Sequence, residues 1–119
     1  MLLDQTIHDL TAALREQGPA TARSSTSLAD RLGAIRDVLL AEPVHARDGW
    51  LDARARRTDR DRRRLVARLG ALGARLHERT EVSPPTAEVR RLLTDLEHYR
   101  QRLHDLTFDA VGLELGGSE

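Results

Sequence analysis

The sequence predicts an all-α protein, an up-down-up-down four-helix bundle, and three observations support this fold class. Apolar residues recur at intervals of three and four along most of the chain, which places them on one face of a helix. No segment alternates apolar and polar residues with the period of two that a half-buried strand requires. Short loops rich in Gly, Pro and Ser separate the periodic segments. With 119 residues, the chain is expected to form one domain, residues 1–119.

The first two predicted helices cover residues 2–17 and 27–57. A Gly-Pro pair ends the first helix, and Ser27 and Asp30 have the spacing of an N-terminal capping box for the second. We expect Pro43 to kink the second helix, because proline removes a main-chain donor and crowds the preceding turn. The residues expected to be buried are Leu3, Ile7, Leu10 and Leu14 in the first helix and Leu28, Leu32, Ile35 and Leu39 in the second.

The third and fourth predicted helices cover residues 59–79 and 84–114. Thr58 is the expected N-cap of the third helix, and Ser83 followed by Pro84 is a strong start signal for the fourth. The residues expected to be buried are Leu65, Leu69, Leu72 and Leu76 in the third helix and Val89, Leu92, Leu93, Leu96, Tyr99, Leu103, Leu106 and Ala110 in the fourth.

The composition limits the possible functions. The chain has no cysteine, so His and carboxylates are the remaining good metal ligands. Its 19 basic and 19 acidic residues give a net charge of zero, which argues against a dedicated nucleic-acid binder. No apolar run approaches the roughly 18 residues of a transmembrane helix, and the N-terminus lacks the basic region of a signal peptide. We therefore expect a cytoplasmic protein that does not insert into a membrane.

Two short segments resemble the hemerythrin-like (HHE cation-binding) family. One is the end of the chain, with Asp109-Ala110, Glu114-Leu115 and the glycine pair Gly116-Gly117. The other is "HARDGWLDA", residues 45–53, where a glycine precedes an aromatic residue. The resemblance implies a four-helix bundle that holds two irons between its helices, bound by inward-facing His and carboxylate side chains.

The resemblance also implies which positions of this chain correspond to iron ligands. Alignment on the Gly49-Trp50 pair places Ala41 and His45 at paired ligand positions of the second helix. The match at the end of the chain sets Tyr99 and Leu103 against the family's His and carboxylate. Because only His45 of these four is a ligand of the expected type, the resemblance implies a bundle without a complete diiron site.

The remaining histidines do not complete the site. At about 100° per residue, the helical wheel turns His8, His98 and Asp109 towards solvent and leaves His77 and His104 at the flanks of their apolar stripes. We therefore expect no metal and no cofactor. Iron held by unusual ligands is the alternative, and its candidate ligands are His45, His104 and Tyr99.

Three classes of function follow. No nucleophile-base arrangement or phosphate-binding glycine loop is visible, so we expect a protein that is not an enzyme. The first class is an interaction or regulatory module with an unknown protein partner or self-association. The second is a metal- or oxygen-binding hemerythrin-like protein. The third is an anion or nucleic-acid binder through residues 54–64, which contain seven Arg and two Asp. The candidate binding residues are Trp50, Arg57 and Arg63.

Overall fold

The computed structural model describes residues 2–16, 22–44, 49–78 and 85–116, and these residues form four α-helices. Side chains are described for residues 2–16, 26–44, 51–78 and 85–112. The helices are α1 (Leu2–Arg15), α2 (Ala22–Ala41), α3 (Gly49–Glu78) and α4 (Thr86–Gly116). The predicted all-α fold class is confirmed.

The helices pack as a square in which each one contacts its two neighbours. α1 lies beside α2 and α4, and α3 also lies beside α2 and α4, whereas no Cα atoms of the described residues come within 8 Å across either diagonal. The molecule is elongated, with extents of 60 × 22 × 20 Å. As far as the described residues extend, no helix combines the length and the apolarity needed to cross a membrane.

Leucine fills the core, and the predicted apolar stripes meet there. Every stripe residue predicted for the first three helices is buried, and in α4 only Leu93, Leu103 and Ala110 are partly exposed. Thr58 is the one polar residue that is fully buried in the described part of the chain. Because isolated helices of this length are marginal in water, burial of these stripes against one another is what stabilises the helices.

A ladder of four salt bridges joins α3 to α4 and shows that these helices are antiparallel. The pairs are Arg54–Asp109 (2.7 Å), Asp61–Arg102 (3.3 Å), Arg68–Asp95 (2.7 Å) and Arg75–Glu88. Successive pairs lie seven residues apart on both helices, which is the repeat of a coiled coil. The α3–α4 contact therefore has one regular register over almost the whole length of both helices.

The boundary between the second and third helices differs from the prediction. α2 ends at Ala41, residues 42–44 are not helical, and α3 already begins at Gly49. Thr58 is therefore not an N-cap but lies inside α3, where its hydroxyl donates to the Arg54 carbonyl (2.9 Å). The reason is Pro43, which disfavours helical geometry at the residue before it and so ends α2 instead of kinking it.

The start of α2 also differs from the prediction. α2 begins at Ala22, so Ser27 lies inside the helix and is not its N-cap. The remaining described ends lie close to their predicted positions, with α4 running from Thr86 to Gly116. The predicted start signal at Ser83 and Pro84 lies outside the described residues.

At one end, α3 and α4 continue beyond the other two helices. The Leu39 carbonyl, near the end of α2, is level with Arg62 of α3, and Asp4 at the start of α1 is level with His104 of α4. Within the described part of the chain, residues 49–58 of α3 and 105–116 of α4 therefore project as a two-helix unit, here called the extension. A small separate core holds it together, formed by Leu51, Ala55 and Leu106 with Val44 and Ala110 against them.

Candidate functional site

Of the positions that the resemblance sets against iron ligands, Ala41 is exposed at the end of α2, whereas the two positions on α4 are filled by packing side chains. Tyr99 is only 1% exposed, and Leu103 packs against the main core. Ile7 and Leu69, which the helical wheel also turns inwards, belong to the same core. A diiron site needs several His and carboxylate side chains at one interior point, and these positions offer none.

The four histidines that the structure describes are spread over the surface of the bundle. The side chains of His8, His77, His98 and His104 are exposed, in agreement with the wheel for His8 and His98. His104 Nε2 lies 3.7 Å from Asp4 Oδ2. His45 and the Trp50 side chain lie outside the described residues. Among the residues that the structure describes, no three His, Asp or Glu side chains are close enough to hold a metal ion together.

A charged groove of about 400 Å³ lies between α1 and α4. Its lining includes Asp4, His8, Glu97 and Arg100. The Arg100 guanidinium is 3.6 Å from Asp4 Oδ1, a buried oxygen without a hydrogen bond in the described part of the chain. Acidic and basic side chains both line this groove, so their charges largely compensate one another. The groove therefore favours neither an anionic nor a cationic ligand.

The arginine-rich segment, residues 54–64, forms the second to fourth turns of α3, and much of its charge is neutralised internally. Arg54 pairs with Asp109, Arg56 with Asp52, and Arg62 and Arg63 both pair with Asp59. The remaining arginines are exposed and have no ion pair within the described ranges: Arg57, Arg60 and Arg64. Of the two arginines predicted from the sequence as binding residues, Arg63 is thus paired with Asp59 within α3, whereas Arg57 is accessible.

Asp59 and Arg62 form a partly buried polar cluster at the end of α2. Arg62 Nε donates to Asp59 Oδ1 (2.8 Å), and Arg62 Nη1 donates to the Leu39 carbonyl (2.9 Å). The last carbonyls of a helix lack partners within the helix and carry partial negative charge, so the buried guanidinium satisfies one of them. The Val44 N–H also donates to Asp59 (3.4 Å), which ties the chain after α2 to α3.

This environment alters two ionisations. Burial raises the pKa of Asp59, but hydrogen bonds from Arg62, Arg63 and the Val44 amide outweigh it and hold the pKa below 3.8. Burial raises the pKa of Tyr99 to about 12, and the nearby charges of Arg62 and Asp59 act on it in opposite directions. Tyr99 is therefore a neutral core residue at physiological pH.

The extension carries an exposed apolar surface on α4, formed by Thr107, Phe108, Val111 and Gly112 and here called the distal α4 face. Phe108 is 78% exposed and Val111 is 49% exposed. Both share a helix face with His104, four and seven residues earlier, whose side chain approaches α1. The distal α4 face thus continues the side of α4 that α1 covers, beyond the point where α1 begins.

The distal α4 face is not among the sites predicted from the sequence. Phe108 is one of three aromatic residues, and it lies off the apolar stripe of the fourth helix. An off-stripe aromatic residue beside a second apolar residue three positions later was the available signal. Asp59 and Arg62 were also missed, although their spacing of three on one helix is typical of an ion pair.

Comparison of the chain with protein-family models, curated proteins and solved structures gave no match.

Proposed function

We propose that this chain is a non-enzymatic interaction module, built on a hemerythrin-like bundle whose diiron site is replaced by an aliphatic core. The observation that carries the interaction role is the distal α4 face, where Phe108 is 78% exposed without being part of the core. Exposed aromatic side chains on a rigid helix are typical anchors of protein–protein contacts. The hemerythrin-like origin rests on the two sequence motifs, and the Leu-rich interior supports the absence of a diiron site.

Metal analysis separates this proposal from the metal-binding alternative. We expect protein produced in iron-supplemented medium, and protein incubated anaerobically with Fe(II), to retain far less than one iron per chain after desalting. The thermal midpoint should be the same with and without Fe(II), because binding to the folded state alone would raise it. About two irons per chain with an oxo-bridge absorption band would contradict the proposal.

A stability measurement tests whether Phe108 serves binding rather than folding. Because its side chain is mostly exposed in the single chain, we expect Phe108→Ser to change the free energy of unfolding by only about 0.5 kcal/mol. The matched change in the core, Leu106→Ser, should destabilise the protein by several times as much, on the order of 2–4 kcal/mol. A similar loss for both variants would show that Phe108 is a structural residue.

Anion binding through residues 54–64 is the second candidate, supported by the exposed Arg57, Arg60 and Arg64. Binding of a single-stranded oligonucleotide at low salt tests it directly. If this candidate is right, Arg57→Ala reduces affinity and the salt dependence, because a phosphate contact is lost. Arg63→Ala is the matched control, since Asp59 already holds the Arg63 guanidinium at 2.9 Å. Equal, salt-independent binding by both variants would reject the candidate.

A further inference from the structure

We infer that the distal α4 face binds the same face of a second copy of this chain, as an antiparallel α4–α4 pair about a two-fold axis. The inference rests on the proposed interaction function and names its partner.

None of the four residues of the distal α4 face is charged, and in an antiparallel pair the two exposed Asp105 side chains at its edge lie at opposite ends of the contact. The Thr107 hydroxyl donates to the Leu103 carbonyl (2.9 Å), so its hydrogen bond is made within α4. The nearest acidic residue on the α3 side, Asp109, is held by Arg54 at 2.7 Å. Two copies of this face can therefore approach without bringing like charges together or leaving a polar group without a partner.

The shape of the face is complementary to itself. Phe108 projects from it, and Gly112, one turn later, leaves open space: a Cβ atom placed there would meet nothing within 4 Å. In an antiparallel pair whose two-fold axis passes between these positions, each Phe108 lies over the Gly112 of the other copy. A contact of this kind is isologous, because one patch supplies both the projection and the gap. An unrelated partner would have to supply the matching projection and gap by itself.

The area of the face indicates a reversible dimer. Phe108 exposes on the order of 150 Å², and with Val111 two copies supply roughly 500 Å² of apolar surface. The patch alone supplies about half of the roughly 1,000 Å² of total buried surface that marks a specific contact, which indicates a weak and reversible association and not a permanent dimer. We therefore expect a dissociation constant of about 10–100 µM.

Sedimentation velocity of the full chain over a concentration series from about 1 to 500 µM tests the inference. We expect a reversible monomer–dimer equilibrium. Phe108→Asp and Gly112→Leu should each weaken it at least about ten-fold, the first by burying a charge and the second by filling the gap. Leu40→Asp, which changes an exposed leucine on α2 outside the extension, is the matched control and should leave it unchanged.

The exchanged double variant Phe108→Gly/Gly112→Phe is the decisive measurement. This variant again places a projecting side chain opposite a gap, so the dissociation constant of the dimer should return to within a few-fold of the original value. Circular dichroism establishes that each variant is folded. A monomer at every concentration overturns the inference, as does a dimer that is insensitive to Phe108→Asp and Gly112→Leu. Neither result affects the iron and stability measurements, so failure of the dimer is distinguishable from failure of the interaction function.

Discussion

Burial in the bundle opposes ionisation of Tyr99 and gives the first prediction. We expect the phenol of the folded protein to titrate at a pKa of about 12, against 10.0 for an exposed tyrosine. Because the folded pKa is raised, this contribution to stability is complete below pH 10 and is lost as the pH rises from 10 through 12. Tyrosinate absorbance measures it directly, since the chain has one tyrosine. A midpoint near 10 in folded protein would contradict the structure, and Tyr99→Phe supplies the baseline.

The Asp59 carboxylate should make the stability of the protein depend on pH in the opposite direction, with a loss at low pH. Its folded pKa lies below 3.8, so its contribution to stability is present above the unfolded pKa and is lost as the pH falls through the folded pKa. We expect Asp59→Asn to destabilise the protein by about 1–3 kcal/mol at pH 7, because Arg62, with an 11% exposed side chain, loses its anionic partner.

Urea denaturation of Asp59→Asn and the parent protein at pH 7 and near pH 3 measures this effect. The difference between the two proteins should shrink as the pH falls below 3.8 towards the lowered pKa of folded Asp59, because the parent carboxylate then takes up a proton on unfolding. Asp37→Asn, at an exposed position of α2, is the control and should have little effect at either pH. A pH-independent difference for Asp59→Asn would show that the carboxylate charge is unimportant.

Individual residues differ in how far the sequence could predict them. Tyr99 was placed in the core by its position on a stripe with the period of a helix. The exposure of Phe108 depends on where α1 begins relative to α4. The apolar periodicity of α4 does not indicate where α1 begins. The Arg62–Leu39 contact similarly depends on the offset between α2 and α3. Periodicity predicts which face is buried within a helix but not how far neighbouring helices overlap.

At the scale of the helices, the seven-residue salt-bridge ladder contributes more to alignment than to stability. In the Arg68–Asp95 pair the side chains are 44% and 42% exposed, so solvent screens their attraction. We expect a double-mutant cycle on this pair to give a coupling of about 0.5 kcal/mol or less, falling further at high salt. The same cycle on Arg62 and Asp59 should give at least twice that value, because their side chains are 11% and 16% exposed. Equal couplings would contradict the difference in burial.

The limits of the second and third helices were harder to predict than their existence. The segment after Pro43 is polar and rich in Arg, so its apolar stripe is sparse. The sequence pattern therefore does not indicate whether this segment belongs to the second helix or to the third. Leu51, Ala55 and Thr58 are the buried residues that join it to the stripe of α3. Their spacing of four and three residues was the usable signal, whereas a Thr-x-x-Asp pattern inside a helix imitates a capping box.

At the scale of the whole molecule, the two-helix extension should open more readily than the four-helix part. Among the described side chains, its separate core contains three buried residues, Leu51, Ala55 and Leu106, against seventeen in the main core. In the Phe108→Asp variant at low concentration, we expect amide hydrogens of residues 51–58 and 105–112 to exchange at a lower opening free energy than those of residues 65–76. Hydrogen exchange under native conditions measures this, and uniform protection along α3 would contradict it.

The order of signs in the ladder restricts how α3 and α4 can align. Three of the four pairs place Arg on α3, but Asp61–Arg102 is reversed. If α4 slid by one heptad in either direction, the stripes would still match, yet two of the three remaining pairs would set like charges opposite each other. In one direction these would be Arg54 with Arg102 and Asp61 with Asp95; in the other, Asp61 with Asp109 and Arg68 with Arg102. The single reversed pair therefore disfavours the two alignments that are shifted by one heptad. Without it, a leucine contact with a seven-residue repeat would leave the correct and the shifted alignments nearly equal in energy.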